Sequence, residues 1–433
     1  MKRNKVDIIT LGCSKNLVDT EHLLRQFQAA GYTIEHNPAK VNGEIVVVNT
    51  CGFIEDAQTE SINTILELCE AKKRGLLRRL YVMGCLSERF MHDLVEEIPE
   101  VDRFYGKFNW KDLLTDLGKS YDASLASERV LTTPSHYAYM KISEGCNRFC
   151  AFCAIPLITG RHHSVPEEQL LAETRRLASG GVKEFNVIAQ DLSSYGLDLY
   201  GEMRLPQLVD AMSRVDGVEW IRLHYAYPAQ FPVDVLRVMT ERDNVCKYLD
   251  IALQHISDPV LTAMRRHIDR VSTMRLIERM RRDVPGLHLR TTLMVGFPGE
   301  GESEFEELLQ WVKEVRFERM GAFAYSEEAG TYAAAHYRDA IPREVKEERL
   351  DRLMAVQEEI ALELQEAKVG TRQRVIIDRE ETDYYVGRTQ YDSPEVDPEV
   401  LVSKEWPLAI GEFSDVIVTE ALPFELIARP ATV

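Results

Sequence analysis

Cys146, Cys150 and Cys153 lie in the run SEGCNRFCAFCAIP at positions 143 to 156, with the spacing C-x₃-C-x₂-C. No fourth cysteine or histidine follows at ligand distance. A structural zinc site takes four protein ligands, so three thiolates do not complete one. A four-iron cubane suits them better, because three thiolates hold three irons and leave the fourth open to a substrate or cofactor.

A second set is more widely spread. Cys13 ends IITLGC, Cys51 ends VVVNTC and Cys85 ends YVMGC, and each follows a β-branched run and precedes a helical pattern. In a parallel sheet the carboxyl ends of the strands share one edge, so thiols this far apart in sequence can converge. A negatively charged cluster there would lie near the amino termini of the following helices, where N–H dipoles favour it. Cys69, in a helical stripe, and Cys246, before a strand, read as ordinary buried thiols.

The elements that must position these cysteines follow from hydrophobic periodicity. Residues 1–118 alternate the strand runs VDIITLG, EIVVVNT and RLYVMG with helical segments, which predicts a small parallel α/β domain. Residues 119–136 are polar and read as a linker. Residues 137–342 carry six strand runs, YMKIS, EFNVIAQ, EWIRLHYAY, KYLDIALQ, LRTTLMVGF and RMGAFAY, each separated by an amphipathic helical segment. Six βα units predict an open barrel and are too few for a closed eight-stranded one. Residues 343–365 form one connecting helix with a stripe that includes Leu350, Leu353, Met354, Ile360 and Leu364. Residues 366–433 hold the runs RQRVIID, YYVGRT, DVIVTEAL and FELIAR between turns, which predicts a small all-β barrel.

Active groups of such (β/α) barrels sit at the carboxyl ends of the strands. Those ends are polar here: Glu144, Gln190, Asp191, His224, Gln254, His255 and the turn GFPGE at 296 to 300. GFPGE lacks a following Lys-Ser/Thr and is not a phosphate loop. It predicts a close backbone approach at Gly296.

The chain has 433 residues, 45% hydrophobic and 28% charged, enough for several cores. Its first apolar stretch is too short for a signal segment, and no run approaches a membrane span, so a cytoplasmic protein without membrane association is expected. Eight cysteines in such a chain are expected to stay reduced. The formal net charge of -18 argues against a generally basic nucleic-acid surface. From Glu366 to Val433 there are 14 Asp plus Glu against 7 Lys plus Arg, which suits a basic protein partner better than phosphates.

With Phe152 before its last cysteine, the motif C-x₃-C-x-aromatic-C resembles the signature of the radical S-adenosylmethionine enzymes. That resemblance implies a cluster whose open iron chelates S-adenosylmethionine and injects an electron, releasing a radical that abstracts hydrogen from an unactivated carbon. Phe152, Gln190, Asp191, Gln254, Arg290 and Gly296 are the candidates for the cofactor side, with the GFPGE backbone against the adenosyl group.

The order of the parts, with two three-cysteine sets and a terminal TRAM-like barrel, resembles the methylthiotransferases along essentially the whole chain. The family implies two 4Fe-4S clusters, on Cys13, Cys51 and Cys85 and on Cys146, Cys150 and Cys153, together with S-adenosylmethionine and an electron donor. LGCSKNLVDTE, NTCGFIEDAQTES, IAQDLSSYG, RLHYAYP and VGFPGE are similar to the branch that modifies the β-carbon of an aspartate in protein twelve of the small ribosomal subunit, free or assembled. The other branch modifies a tRNA adenosine beside the anticodon and has a methionine-asparagine pair after its first cysteine. Here Ser14-Lys15-Asn16 stands instead. Asp392, Glu395, Asp397 and Glu399 are the expected docking charges for the basic substrate. Val165 and Ala252 depart from the family's usual arginine and proline.

Overall fold

The structure, a computed structural model, describes residues 1–431. Five parallel strands open the chain: β1 (Lys2–Thr10), β2 (Thr33–His36), β3 (Gly43–Thr50), β4 (Arg79–Gly84) and β5 (Arg103–Phe104), in the order β2-β1-β3-β4-β5. Three of them are the strands read from the sequence. The other two are edge strands of four and two residues, too short to carry a period. β3 reads as an unbroken apolar run because helices cover both faces of the sheet. Val46 and Val48 pack with Ile65 and Leu68, while Ile45 and Val47 pack with Leu23 and Phe27.

Next come β6 (Tyr137–Lys141), β7 (Ser143–Glu144), β8 (His163–Ser164), β9 (Glu184–Ile188), β10 (Trp220–Ala226), β11 (Val245–Ile251), β12 (His288–Val295) and β13 (Arg319–Ala324). β6 and β9 to β13 form one six-stranded parallel sheet, and they are the six runs read from the sequence. The outward residues, such as Phe185, Leu223, Leu249, Leu289 and Leu293, join the helices in the largest core. Helix Arg343–Glu366 lies against β13, where Leu353 and Ile360 enter that core and the Gln357 amide donates to the Phe317 carbonyl at 2.9 Å. It thereby covers the open edge of the sheet.

The expected linker is held firmly at Arg129. Its buried guanidinium pairs with Glu21 at 2.7 Å, with Glu173 at 2.7 Å and with the Tyr139 carbonyl at 2.6 Å, joining the first sheet's helix to the second sheet.

The chain ends in a closed barrel of β14 (Arg372–Glu380), β15 (Tyr384–Thr389), β16 (Glu399–Ser403), β17 (Phe413–Ala421) and β18 (Glu425–Pro430). β16 was missing from the four runs read in the sequence. Val400 and Val402 turn into the barrel core from it.

The loop between β15 and β16 corrects the expectation for the docking charges. Asp392 is buried and pairs with Arg319 of β13, and Asp397 pairs with Arg290 of β12 at 2.6 Å and accepts from the Tyr248 hydroxyl at 2.8 Å. Glu399 pairs with Arg379 on the surface of the small barrel. Only Glu395 is exposed. The inward face of the large sheet carries arginines near the amino ends of its strands, and a buried cation needs an anion. The small barrel supplies these, and Arg388 returns the exchange by pairing with Glu184 at 2.7 Å. Arg290 is thus committed to this interface and is withdrawn as a cofactor contact.

Candidate functional site

The turns after β1, β3 and β4 carry Cys13, Cys51 and Cys85 at the carboxyl edge of the first sheet. Gly12, at φ +89°, lets two of these turns meet: a Cβ there would lie 2.9 Å from the Cys51 sulfur. The Cys51 backbone N–H is held by the Ser61 hydroxyl at 3.1 Å, and the Cys85 sulfur lies 3.6 Å from the Asn16 amide oxygen. Burial raises Cys51 and pushes the Cys85 thiol up to about 12. Against the desolvation around Cys13, the Lys15 ammonium and the N–H groups of Asn16 and Lys15 hold it below its ordinary value.

The second triad sits in the loop between β7 and β8, whose antiparallel pairing clamps the base of the loop. Gly145 permits a tight crossing there, since a Cβ would come within 2.1 Å of the Arg161 carbonyl oxygen. Ala151 is pinned on both sides: its N–H donates to the Met264 carbonyl at 2.9 Å and its carbonyl accepts from Ala333 at 2.7 Å. Burial pushes Cys146 up to about 12 and raises Cys153 as well. A thiolate at such positions needs positive charge beside it, which coordination provides.

Some of that charge is already in place. The Arg266 guanidinium, itself buried, lies 3.2 Å from the Cys150 sulfur, and the Arg148 backbone N–H lies 3.4 Å from the Cys146 sulfur. N–H donors aimed at sulfur are a usual outer shell for iron–sulfur ligands. All eight cysteines are free of disulfides. Among the described residues, no three Cys, His, Asp or Glu side chains are arranged around a single metal ion.

One polar network joins the two cysteine-bearing domains. Lys107, just after β5, pairs with Asp19 at 3.3 Å and with Glu144 at 3.0 Å, while Lys141 of β6 pairs with Glu144 at 2.7 Å and also with Asp19. Burial works against the Lys107 ammonium, but the two carboxylates outweigh it and hold its pKa above the ordinary value. Burial likewise opposes the Glu144 carboxylate, yet Lys141 and Lys107 bring it down to about 2. Two cations and two anions therefore neutralise each other where the domains meet.

The sequence-derived candidates fall into three groups. Gln190 donates to Glu144 and keeps its side-chain oxygen buried and unpartnered, and Gln254, at φ +70°, likewise has an unpartnered oxygen. Asp191 instead ties its own loop to the cysteine loop, accepting from Ser193 N–H at 2.9 Å and from the Arg148 guanidinium at 2.7 Å. Phe152 packs edge-on against Phe297 of the GFPGE turn, with ring centroids 6.4 Å apart.

Gly296 is a correction. Its φ is +73°, and a Cβ there would meet Lys346 Cγ at 2.4 Å, so its missing side chain makes room for helix Arg343–Glu366, a role the sequence reading did not give it. In the same turn Glu300 pairs with Arg349 at 2.8 Å and lies 3.3 Å from His255. Val165 donates its N–H to the Ile142 carbonyl, and the Ala252 carbonyl accepts from Arg266, so both departures lie beside the cysteine loop's supports. Lys107, Lys141, Asp19, Arg148 and Arg266 were not singled out from sequence, because their partners are remote along the chain.

Unpartnered oxygens on Gln190 and Gln254, an unpartnered Arg148 Nη2 and thiols met by N–H donors are the features of a place that a cluster and a polar cofactor would complete. An open six-stranded parallel barrel with a three-cysteine loop at its carboxyl edge defines the radical S-adenosylmethionine class. Residues 140–312 match the Radical SAM superfamily, residues 5–106 the Uncharacterized protein family UPF0004 and residues 369–430 the TRAM domain. The fold is similar to that of the radical S-adenosylmethionine methyltransferase TsrM from Kitasatospora setae, a structure with cobalamin and a [4Fe-4S] cluster bound. The TM-score is 0.55 at 13% identity, over 75% of each chain.

Relatives are more specific. The chain is 66% identical to the ribosomal protein uS12 methylthiotransferase RimO of Parabacteroides distasonis, over 99% of each chain. It is 63% identical to that of Phocaeicola vulgatus, again over 99% of each. The chain belongs to the RimO family of ribosomal protein uS12 methylthiotransferases.

Proposed function

We propose that this protein attaches a methylthio group to the β-carbon of an aspartate in ribosomal protein uS12, with one four-iron cluster on each cysteine triad. The observation that carries this reading is the placement of two three-cysteine sets at the carboxyl edges of two parallel sheets, joined by the Lys107–Glu144 contact. When bound, the cluster on the second triad and S-adenosylmethionine supply one-electron reduction and a carbon radical, and the first triad's cluster holds the sulfur to be transferred.

The chain's own residues prepare this chemistry. Arg266 and the Arg148 N–H stabilise anionic sulfur on Cys150 and Cys146. Gln190 and Gln254 offer acceptor oxygens to the donors of a polar cofactor. Phe152 against Phe297 shields one side of the cysteine loop from water. An electron donor is required, and the cytoplasm is the compartment that holds both reduced thiols and ribosomes. Among the described residues no helix is long and apolar enough to cross a membrane. The net acidic tail supports a basic protein substrate over tRNA.

Mass analysis of uS12 and of tRNA from cells lacking the gene is the test. Loss of the methylthio group from uS12 with tRNA unchanged is expected; intact uS12 with tRNA adenosine lacking the group would overturn the reading.

A further inference from the structure

Three lysines stand where the two cysteine-bearing domains meet. Lys107 and Lys141 each have two carboxylate partners, Asp19 and Glu144. Lys15 has none: among the described residues no carboxylate lies within ion-pair distance of its Nζ, and no hydrogen bond to it is formed. The residue is only 9% exposed. Its ammonium rests on the face of Tyr225, 3.2 Å from the ring centroid.

The platform is itself unusual. Tyr225, near the carboxyl end of β10, has φ +64°, a left-handed conformation that bulky side chains rarely adopt. Its backbone N–H is held by the Asp250 carboxylate at 3.2 Å. Asp250 is thereby engaged with the backbone and lies outside ion-pair distance of Lys15. Lys15 comes from the first turn of helix Ser14–Ala29, two residues after Cys13, and reaches the barrel's inner wall. No carboxylate among the described residues neutralises this ammonium, which lies near the Cys13 sulfur and whose Nζ is still reached by solvent, and an aromatic face supplies only part of what an anion would.

We infer that Lys15 is the specificity residue for the substrate: it receives the carboxylate of the aspartate to be modified, on the Tyr225 face between the two cysteine triads. This rests on the reading that the protein modifies an aspartate of uS12. The aspartate's β-carbon is one bond from the carboxylate carbon, so gripping the carboxylate places the reacting carbon next to the anchor. The pairing also explains a substrate choice: an asparagine, which carries no charge, would leave the ammonium unpaired.

The test is equilibrium binding of purified uS12, and of uS12 with Asp→Asn at the modified position, to the reconstituted enzyme. Wild type should favour the aspartate form by about 10- to 100-fold, the range of a charge-assisted contact. Lys15→Gln should abolish the preference, and Lys15→Arg, which keeps the charge, should retain most of it. Because the readout is a ratio, general damage or iron loss weakens both forms and leaves it unchanged. A wild-type ratio in Lys15→Gln, no preference in wild type, or equal loss in Lys15→Arg and Lys15→Gln would each overturn the inference. Methylthiolation of uS12 by wild type, measured alongside, separates its failure from failure of the functional reading.

Discussion

At the scale of residues, the two cysteine triads have different surroundings. The loop triad has a buried guanidinium on Cys150, whereas the strand-end triad has the Lys15 charge near Cys13 and an amide oxygen near Cys85. If each triad holds a four-iron cluster, anaerobic reconstitution should load about eight irons. Changing Cys146, Cys150 and Cys153 together to Ala should leave about half; full retention of iron would defeat the two-site assignment. Arg266→Ala removes the positive donor from Cys150. The more negative, reduced cluster should lose more than the oxidised one, so the potential of the loop-triad cluster should fall by on the order of tens of millivolts. Potentiometric titration followed by electron paramagnetic resonance reads this directly, and an unchanged potential would remove Arg266 from the cluster's surroundings.

At the scale of elements, the loop between β15 and β16 acts as a plug of carboxylates under the large sheet. Asp392 illustrates its energetics: burial disfavours its charge, but Arg319 and Lys368 outweigh burial and hold its pKa below the ordinary carboxylate range. Removing one partner of such a pair strands the other, so Asp392→Asn should destabilise the protein by about 3–5 kcal/mol at neutral pH. The sign with pH follows from linkage. A carboxylate depressed in the folded state contributes fully above its unfolded pKa of about 4 and progressively less as pH falls below it. The stability gap between wild type and Asp392→Asn, measured by denaturant unfolding, should therefore narrow below about pH 4. A gap independent of pH would mean that Asp392 acts by packing alone.

At the scale of the whole molecule, the acidic tail has less charge to spend on a partner than its composition suggests, because Asp392 and Asp397 face inward. Asp383, Glu395, Glu405 and Glu420 remain exposed on the small barrel. Their attraction for a basic protein is screened over about 8 Å at physiological ionic strength, so association with uS12 should slow as salt rises. Neutralising all four to Asn or Gln should lower the association rate severalfold with little change in dissociation, as steering charges do. Stopped-flow association with uS12 and with tRNA decides between partners. Faster tRNA capture by this variant, with productive adenosine methylthiolation and no modified aspartate, would overturn the protein substrate.

The parallel α/β character of the first domain, the six runs of the large sheet and the strand-end or loop placement of both cysteine triads could be read from the chain alone. Each is written locally: a β-branched run buried on both faces has few polar interruptions, and cysteines at strand ends or at C-x₃-C-x₂-C spacing need no distant partner to be noticed. β2, β5 and β16 were missed because strands of two to five residues carry almost no period. The fates of Arg290, Gly296, Asp392 and Asp397 were decided only by tertiary packing. An arginine and an aspartate separated by 107 positions, or a glycine whose missing Cβ makes room for Lys346, leave no local pattern. Burial sets the reason: a charge taken out of water must find its counter-charge wherever the fold brings one, and sequence distance does not enter that energy. Lys15 likewise shows in the sequence only as part of a motif, and in the folded molecule as a cation on an aromatic face with no carboxylate partner among the described residues.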